Sequence, residues 1–366
     1  MCFKKVFSRI LVLLLFSITS VYSQEIDNIR PKRLDDKNYT EYWEQYFYLS
    51  DGSLITSQFL VANFPWPVGK DHGIMLSTLI TPNGEQYVIK NGRNFGEWGY
   101  KEDKLDLFIH THRLSQKNDE VNVHLENTMA FVDINSKSKI APFSHNRFSS
   151  DEGFIESRFY APSLIGNGNW QLGEEAGFKP NGPVNNADIA EGHGVHVLMT
   201  DKVDQLIKNW TRISGIGNGQ LKPFISAITR PDEKQDIIFK LFDNDKTIET
   251  FENVNIKYEN ITKEKEASYP KRIKITAKGK NGNIEGEIQF TRKMDHFNLT
   301  DHLNFFERSF AKSNPTVTNF RYIADYNLVY KTAEGEKLLS GKALSEYTDI
   351  QPAKKAASKK RRRSRR

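Results

Sequence analysis

Short apolar runs separated by turn dipeptides fill the stretch from Glu41 to Arg113. Asp-Gly and Asn-Gly pairs between such runs are typical of β-hairpin turns. The pairs are Asp51-Gly52, Asn83-Gly84 and Asn91-Gly92, and the runs are Tyr46–Leu49, Leu54–Phe59, Ile74–Ile80, Tyr87–Ile89 and Leu105–Ile109. Over 105–112, apolar Leu105, Leu107 and Ile109 alternate with the other residues, as along one strand with two faces. The stretch predicts an antiparallel β-meander that forms the wall of a container.

The second half of the chain also shows hairpin patterns. Ile273–Phe290 alternates about Asn281-Gly282, and Tyr326–Leu344 about Glu334-Gly335. Residues 135–190 are rich in Gly, Asn, Ser and Pro, which favours long crossing loops with short strands. Val203, Leu206, Ile207 and Trp210 have helical spacing. We expect an all-β fold with few short helices: a polar lead-in (residues 24–40), an N-terminal β domain (41–190) and a C-terminal β domain (191–350).

The first 23 residues are typical of a secretory signal peptide. Lys4, Lys5 and Arg9 form a basic region before an apolar segment, residues 10–18, that is too short to span a membrane. We predict cleavage after Ser23 and export to the periplasm or the cell exterior, with no transmembrane span left in the mature chain; a retained transmembrane anchor is the alternative. The single cysteine, Cys2, lies in this segment. The mature chain is therefore expected to have no disulfide and no cysteine-bound metal.

The net charge of +6 comes from the two ends of the chain. Three positive charges lie in the first 23 residues and nine in residues 352–366, which leaves −6 for the rest. A basic body suited to nucleic acid is therefore excluded, and no specific nucleic-acid partner is expected. The tail, residues 351–366, has the composition of a disordered segment. Lys354–Arg366 is a candidate contact for an anionic surface, and a solvated tail without a partner is the alternative.

The segment Glu191-Gly192-His193-Gly194-Val195-His196 is the strongest candidate for chemistry. It places Glu191, His193 and His196 within six residues, between glycines that permit close backbone approach. Histidine is the side chain best suited to proton transfer near neutral pH. The alternative is a linker whose polar groups bond to the local backbone. We take these three residues as catalytic candidates.

Three other histidines form a weaker candidate metal site. His110 and His112 share one face of an extended strand, and His124 lies on the expected partner strand. Three imidazoles can bind zinc, but only one of the two pairing registers brings His124 to the same face. Ordinary core or surface histidines are the alternative, and we expect neither a metal nor another cofactor.

Large aromatic residues are candidates for lining a ligand pocket, because they provide rigid apolar walls with polar edges. The candidates are Trp43, Phe64, Trp66, Trp98, Trp170 and Trp210. Core packing is the alternative for each tryptophan. Trp66 differs because Pro65 and Pro67 flank it, which predicts a loop or rim position.

Three segments carry a resemblance to a known family: DGSLITSQFLVANF (51–64), EGHGVHVLMTDKVDQLIKNW (191–210) and NFRYIADYNLVYKTAEGEKLLSGKALSEY (319–347). The chain, over about residues 41–348, resembles the lipocalin-like two-domain family of carotenoid hydratases, Diels–Alderase-type cyclases and ceramide-binding survival factors. The resemblance implies two lipocalin-like antiparallel β-barrel or sandwich domains packed together, with an apolar pocket. The chain departs from the hydratases at Tyr42-Trp43-Glu44, where they carry Trp-Trp-Tyr.

Three functions are compatible with these features. The first is an exported protein that binds an apolar small molecule, such as a lipid, sphingolipid or isoprenoid, in a β-barrel pocket. The second is an enzyme on the same scaffold that hydrates, isomerises or cyclises a polyene or isoprenoid. The third is a secreted carbohydrate-binding or carbohydrate-active β protein that uses Trp66. One fold can host all three functions, so the choice depends on the site.

Overall fold

The computed structural model describes residues 29–63, 69–93, 96–101, 104–138, 140–177, 183–217, 221–298, 301 and 315–353. Nearly all of its regular structure is β-strand, which confirms the all-β prediction. The chain divides into two compact units. The N-terminal unit comprises the described residues up to Ser144 with Ser157–Leu198. The C-terminal unit comprises His145–Glu156 with the described residues from Met199 onward.

Fourteen strands precede the C-terminal barrel. They are β1 (Thr40–Leu49), β2 (Leu54–Ala62), β3 (His72–Ile80), β4 (Gln86–Arg93), β5 (Trp98–Tyr100), β6 (Asp106–Ile109), β7 (His112–Lys117), β8 (Glu120–Glu126), β9 (Ala130–Ser138), β10 (Phe143–Ser144), β11 (Phe148–Ser149), β12 (Phe154–Ala161), β13 (Leu164–Leu172) and β14 (Asn185–Met199). The main path of the sheet is β4-β3-β2-β1-β14-β13-β9-β8-β7-β6-β5, and β12 also pairs with β14.

The sheet of the N-terminal unit is curled. One face of β1 carries Glu41, Trp43, Gln45, Phe47 and Leu49, because side chains alternate along a strand. We call this face and its continuation on neighbouring strands the inner face. The Trp98 ring lies against Gly73 on β3, and Leu49 approaches Gly168 on β13, so the inner face is the concave side. Most of β1 and the second half of β14 are buried on both faces.

The C-terminal unit contains a closed eight-stranded barrel in the order β15-β16-β17-β18-β21-β22-β23-β24. The barrel strands are β15 (Asn209–Gly215), β16 (Leu221–Thr229), β17 (Gln235–Asp243), β18 (Lys246–Glu259), β21 (Arg272–Gly279), β22 (Gly282–Asn298), β23 (Thr316–Thr332) and β24 (Gly335–Gln351). A separate two-stranded sheet consists of β19 (Thr262–Glu264) and β20 (Ala267–Tyr269). Aromatic and aliphatic side chains fill the interior of the barrel, among them Phe239, Phe251, Ile275, Phe320 and Leu328.

Helical structure is short. A 3-10 turn covers Glu174–Ala176, and α1 covers Val203–Leu206. The helical spacing that included Trp210 therefore predicts one turn correctly, but Trp210 itself lies on β15. No helix among the described residues has the length and apolar character needed to cross a membrane.

Candidate functional site

The two candidate histidines of β14 lie on opposite faces of the sheet. Residues 193 and 196 are separated by an odd number of positions, so their side chains alternate to different sides. His196 stacks on Trp43 of the neighbouring strand β1, and this pair occupies the inner face. His193 stacks on Tyr46, on the other side of the same two strands. The structure therefore brings only one of the two histidines to the inner face.

His196 forms a buried pair with Glu41, a residue 155 positions away in the chain. Its Nε2 lies 2.7 Å from Oε1 of Glu41, and Glu41 is fully buried. The Trp43 ring stacks on the imidazole with ring centroids 4.9 Å apart and an angle of 19° between the planes. The indole N–H of Trp43 donates to the backbone oxygen of Ile29 at 2.6 Å, which fixes the ring. We call Glu41 and His196 the Glu41–His196 pair.

Two further donors hold the Glu41 carboxylate. The Tyr39 hydroxyl donates to Oε2 at 2.6 Å, and the backbone N–H of Lys32 donates to the same oxygen at 2.7 Å. A buried carboxylate is costly unless such donors replace its hydration. Burial, and then the neighbouring carboxylate, raise the pKa of Tyr39, so this phenol stays protonated and keeps donating.

The pair leaves one imidazole nitrogen available. Because a carboxylate only accepts hydrogen bonds, His196 must carry its proton on Nε2, and Nδ1 then presents a lone pair in the neutral ring. Nδ1 has no hydrogen-bond partner among the described residues. The side chain keeps 6% of its surface exposed. A carboxylate that orients an imidazole through one ring nitrogen and leaves the other ring nitrogen facing a ligand is the arrangement of a general base.

Gly192 and Gly194 have structural reasons to be glycine. A Cβ at Gly192 would lie 2.7 Å from the backbone oxygen of Tyr46, so this residue allows β1 and β14 to approach closely. A Cβ at Gly194 would lie 2.7 Å from the Tyr160 ring. The Tyr160 hydroxyl accepts a hydrogen bond from Nε2 of Gln45 at 2.7 Å. The glycines thus make room for β1 and for Tyr160.

His193 and Glu191 are buried on the side opposite the Glu41–His196 pair. The His193 ring lies 5.0 Å from the Tyr46 ring and 6.0 Å from the Phe159 ring. The segment from Glu191 to His196 is thus divided between two environments. Sequence proximity placed three catalytic candidates together, but the strand period separates two of them from the third.

The predicted aromatic residues are distributed over several places. Trp43 belongs to the site, and Trp98 is buried on β5, where its indole N–H donates to the backbone oxygen of Asp71 at 2.8 Å. Trp170 borders a cavity of about 300 Å³ with Pro82, Leu172, Pro183 and Asn185, near the start of β14. Trp210 lies in the C-terminal unit. Phe64 and Trp66 lie outside the described residues.

The histidines 110, 112 and 124 do not converge. His110 lies in the turn between β6 and β7 with a φ of 57°, so the extended segment predicted over residues 105–112 ends at Ile109. His112 is buried, and its Nδ1 accepts the backbone N–H of Glu126 at 3.2 Å. His124 pairs with Arg113 across β7 and β8, which places it on the face opposite His112. Among the described residues, no group of three or more His, Cys, Asp or Glu side chains is arranged to hold a metal ion.

A second polar cluster lies in the C-terminal unit and was not predicted. Nδ1 of His145 lies 2.6 Å from Oδ2 of Asp236, and its Nε2 lies 2.8 Å from the Ser226 hydroxyl. The Trp210 indole N–H donates to the same hydroxyl at 2.9 Å. Ser226 is fully buried and His145 nearly so. The imidazole therefore fastens the segment His145–Glu156 to strands β16 and β17.

Sequence reasoning also missed Glu41, Tyr39 and Tyr160. A usable signal was present for Glu41. Along β1 it occupies the same alternating set as Trp43 and Phe47, so a carboxylate falls at an inward position. Buried carboxylates need specific partners and are over-represented at functional sites. Tyr160 gave no such signal, because its relation to Gly194 depends on strand pairing.

Solved structures of low sequence identity share this fold. An AttH-like protein from Nitrosomonas europaea aligns with a TM-score of 0.55 and 13% identity, covering 88% of this chain and 94% of that one. CghA aligns with a TM-score of 0.56 and 6% identity, covering 87% and 90%. No family model and no curated protein matches the sequence. These likenesses confirm at the level of fold the resemblance seen in the sequence: the chain shares the lipocalin-like fold of the AttH-like and CghA structures.

Proposed function

We propose that this protein is an exported enzyme that binds an apolar small molecule on the inner face of the N-terminal unit and moves a proton on it. The observation that carries the proposal is the Glu41–His196 pair, with Nδ1 of His196 unoccupied by any described residue. Hydration and isomerisation each need such a proton transfer, and so does a cyclisation that begins with protonation of a double bond. The lipocalin-like scaffold supports a small-molecule ligand.

The surroundings of the pair suit this role. Trp43 covers one face of the imidazole, and Phe59 lies opposite Trp43 on β2. Such apolar walls exclude water and lower the local dielectric, so the attraction between Glu41 and a protonated His196 increases. Nδ1 takes the proton, Glu41 stabilises the resulting imidazolium, and the same imidazole returns the proton to the product.

The test uses protein purified from the cells that make it. Its bound small molecule is extracted, identified by mass spectrometry and incubated with fresh protein in deuterated water. Wild-type protein should incorporate deuterium into that molecule. His196→Gln should lower the rate by about 10²- to 10⁴-fold, the usual contribution of a general base.

His193→Gln is the matched control, because it removes a buried histidine from the same strand on the other face. It should keep most of the exchange rate. Equal rates in the two variants, or purified protein without any apolar molecule, would refute the proposal.

A carrier without catalysis is the second candidate. The cavity beside Trp170 favours it, because its volume of about 300 Å³ is at the lower end for a small-molecule site. A carrier would retain its ligand unchanged, and Trp170→Ala would release it while His196→Gln would not. The carbohydrate hypothesis depended on Trp66, which lies outside the described residues.

A further inference from the structure

Tyr160 lies on the same face of the sheet as the Glu41–His196 pair, because its ring covers Gly194, which shares the strand face of His196. The Tyr160 hydroxyl would lie 2.9 Å from a Cβ at Gly194. His196 is two residues further along β14, which corresponds to about 7 Å in a strand. Tyr160 is buried, so its hydroxyl group needs partners within the protein or from a ligand.

A directed chain of hydrogen bonds ends at the Tyr160 hydroxyl. Ser57 Oγ lies 2.5 Å from Oε1 of Gln45, and Nε2 of Gln45 lies 2.7 Å from the Tyr160 oxygen. The Ser57 hydroxyl donates to the Gln45 amide oxygen, because an amide oxygen only accepts hydrogen bonds. The amide oxygen of Gln45 therefore faces Ser57, and its NH₂ group donates to Tyr160.

This direction leaves the phenolic proton of Tyr160 unused. The hydroxyl oxygen accepts from Gln45, and no described residue accepts the hydroxyl hydrogen. Burial raises the pKa of Tyr160, so the group remains a neutral donor. A buried donor without an acceptor is unfavourable and rare in folded proteins, which indicates that a ligand atom accepts this proton.

We infer that Tyr160 donates a hydrogen bond to a carbonyl oxygen of the ligand and that the substrate is an apolar unsaturated carbonyl compound. This inference rests on the proposed function of His196. A phenol with a raised pKa is too weak an acid to protonate an isolated carbon–carbon double bond. It can stabilise the negative charge that forms on a carbonyl oxygen when a base removes a neighbouring proton.

The step is balanced without an added reactant. Nδ1 of His196 takes a proton from the carbon between the carbonyl group and a β,γ double bond. The C–H electron pair forms a new C=C bond, and the carbonyl π electrons move to the oxygen, where Tyr160 donates. His196 then returns the proton to the γ carbon. The double bond moves into conjugation with the carbonyl, and both side chains return to their starting states.

The probes are a long-chain β,γ-unsaturated ketone, its conjugated isomer, and an alkene of equal length without the carbonyl group. Hydrogen bonding to the carbonyl shifts the ultraviolet absorption of the conjugated ketone to longer wavelength. Wild type and His196→Gln should bind this ketone with the shift. Tyr160→Phe should lose the shift and bind it about five- to tenfold more weakly, while its affinity for the alkene is unchanged.

Tyr46→Phe is the control, since it removes a buried hydroxyl on the other face of the sheet. It should behave as wild type. If Tyr160→Phe does not fold in a thermal unfolding assay, Ser57→Ala is used, and it should reduce the shift by weakening the chain of hydrogen bonds. An unchanged shift in the folded variant, or wild-type protein that binds the ketone no better than the alkene, overturns the inference.

The two proposals fail in different ways. Loss of the shift in Tyr160→Phe with no isomerisation of the β,γ-ketone by wild type supports the donor role of Tyr160 and contradicts that of His196. Isomerisation that depends on His196 but not on Tyr160 supports the proposed function and refutes the inference about Tyr160.

Discussion

The ring of Tyr160 explains why residue 194 is a glycine. A Cβ there would lie 2.7 Å from Cζ of Tyr160, so the ring or the strand must move. We predict that Gly194→Ala lowers the free energy of unfolding by about 1–3 kcal/mol, as expected for overpacking. Chemical denaturation measures this. Gly92→Ala is the control, because its Cβ would meet only Ile74 at 3.9 Å. Equal stability of the two variants would contradict the packing described for Tyr160.

Single residues also show why the site was only partly predictable. The presence of chemistry near His193 and His196 could be inferred from residue types. The residue types do not show which of the two histidines faces inward, because this depends on the pairing of β14 with β1. Glu41 and His196 are 155 positions apart, and no local pattern connects them.

At the scale of elements, the His145 side chain binds the segment His145–Glu156 to strands β16 and β17. Burial lowers the pKa of His145, against the opposite effect of Asp236, while Arg212 lowers it further. The folded state then binds fewer protons than the unfolded state below the ordinary histidine pKa of about 6.5. Stability must therefore fall as the pH decreases below that value, by at most about 1.4 kcal/mol per pH unit.

We predict that urea unfolding at pH 7.5 and 5.5 reveals this loss in wild type. His145→Gln should be less stable at pH 7.5, and its stability should differ less between the two pH values. His124→Gln, which changes a half-exposed histidine beside Glu126, should keep the wild-type difference. The same pH dependence in all three proteins would show that His145 is not its source.

Four buried charged residues lie at paired positions on the neighbouring strands β15, β24, β23 and β22. Arg212 pairs with Glu346, Glu346 is opposite Arg321, and Arg321 binds Asp295 at 2.6 Å. Burial raises the pKa of Asp295, although Arg321 opposes this. Removing one member of such a set takes a countercharge away from a buried ion, which costs about 3–5 kcal/mol.

Glu346→Gln should therefore lower the free energy of unfolding by about that amount, measured by denaturant titration. Glu120→Gln is the matched control, since Glu120 and Lys137 form a pair of exposed side chains 3.0 Å apart. Its effect should stay below about 1 kcal/mol. A small effect of Glu346→Gln would mean that the four charges contribute little to the stability of the barrel.

Across the whole molecule, the fold was more predictable than the site. The Asn281-Gly282 and Glu334-Gly335 patterns identified the hairpins β21–β22 and β23–β24, because hairpin turns require specific local backbone angles. The domain boundary predicted at residues 190 and 191 lies on β14, and it stays a prediction. His145 and Asp236 meet although 91 positions separate them, which no hairpin signal reveals.

The charge distribution of the whole chain yields the last prediction. Residues 352–366 carry nine positive charges, and the chain between the predicted signal peptide and this tail has a net charge of −6. A basic segment gains about 1 kcal/mol per Lys or Arg near an anionic membrane, whereas an acidic body is repelled. Deleting residues 354–366 should abolish sedimentation with phosphatidylserine vesicles. Binding by the full chain should weaken as salt increases, because the attraction is screened. Phosphatidylcholine vesicles are the control, and retained binding after the deletion would place the anionic contact elsewhere on the protein.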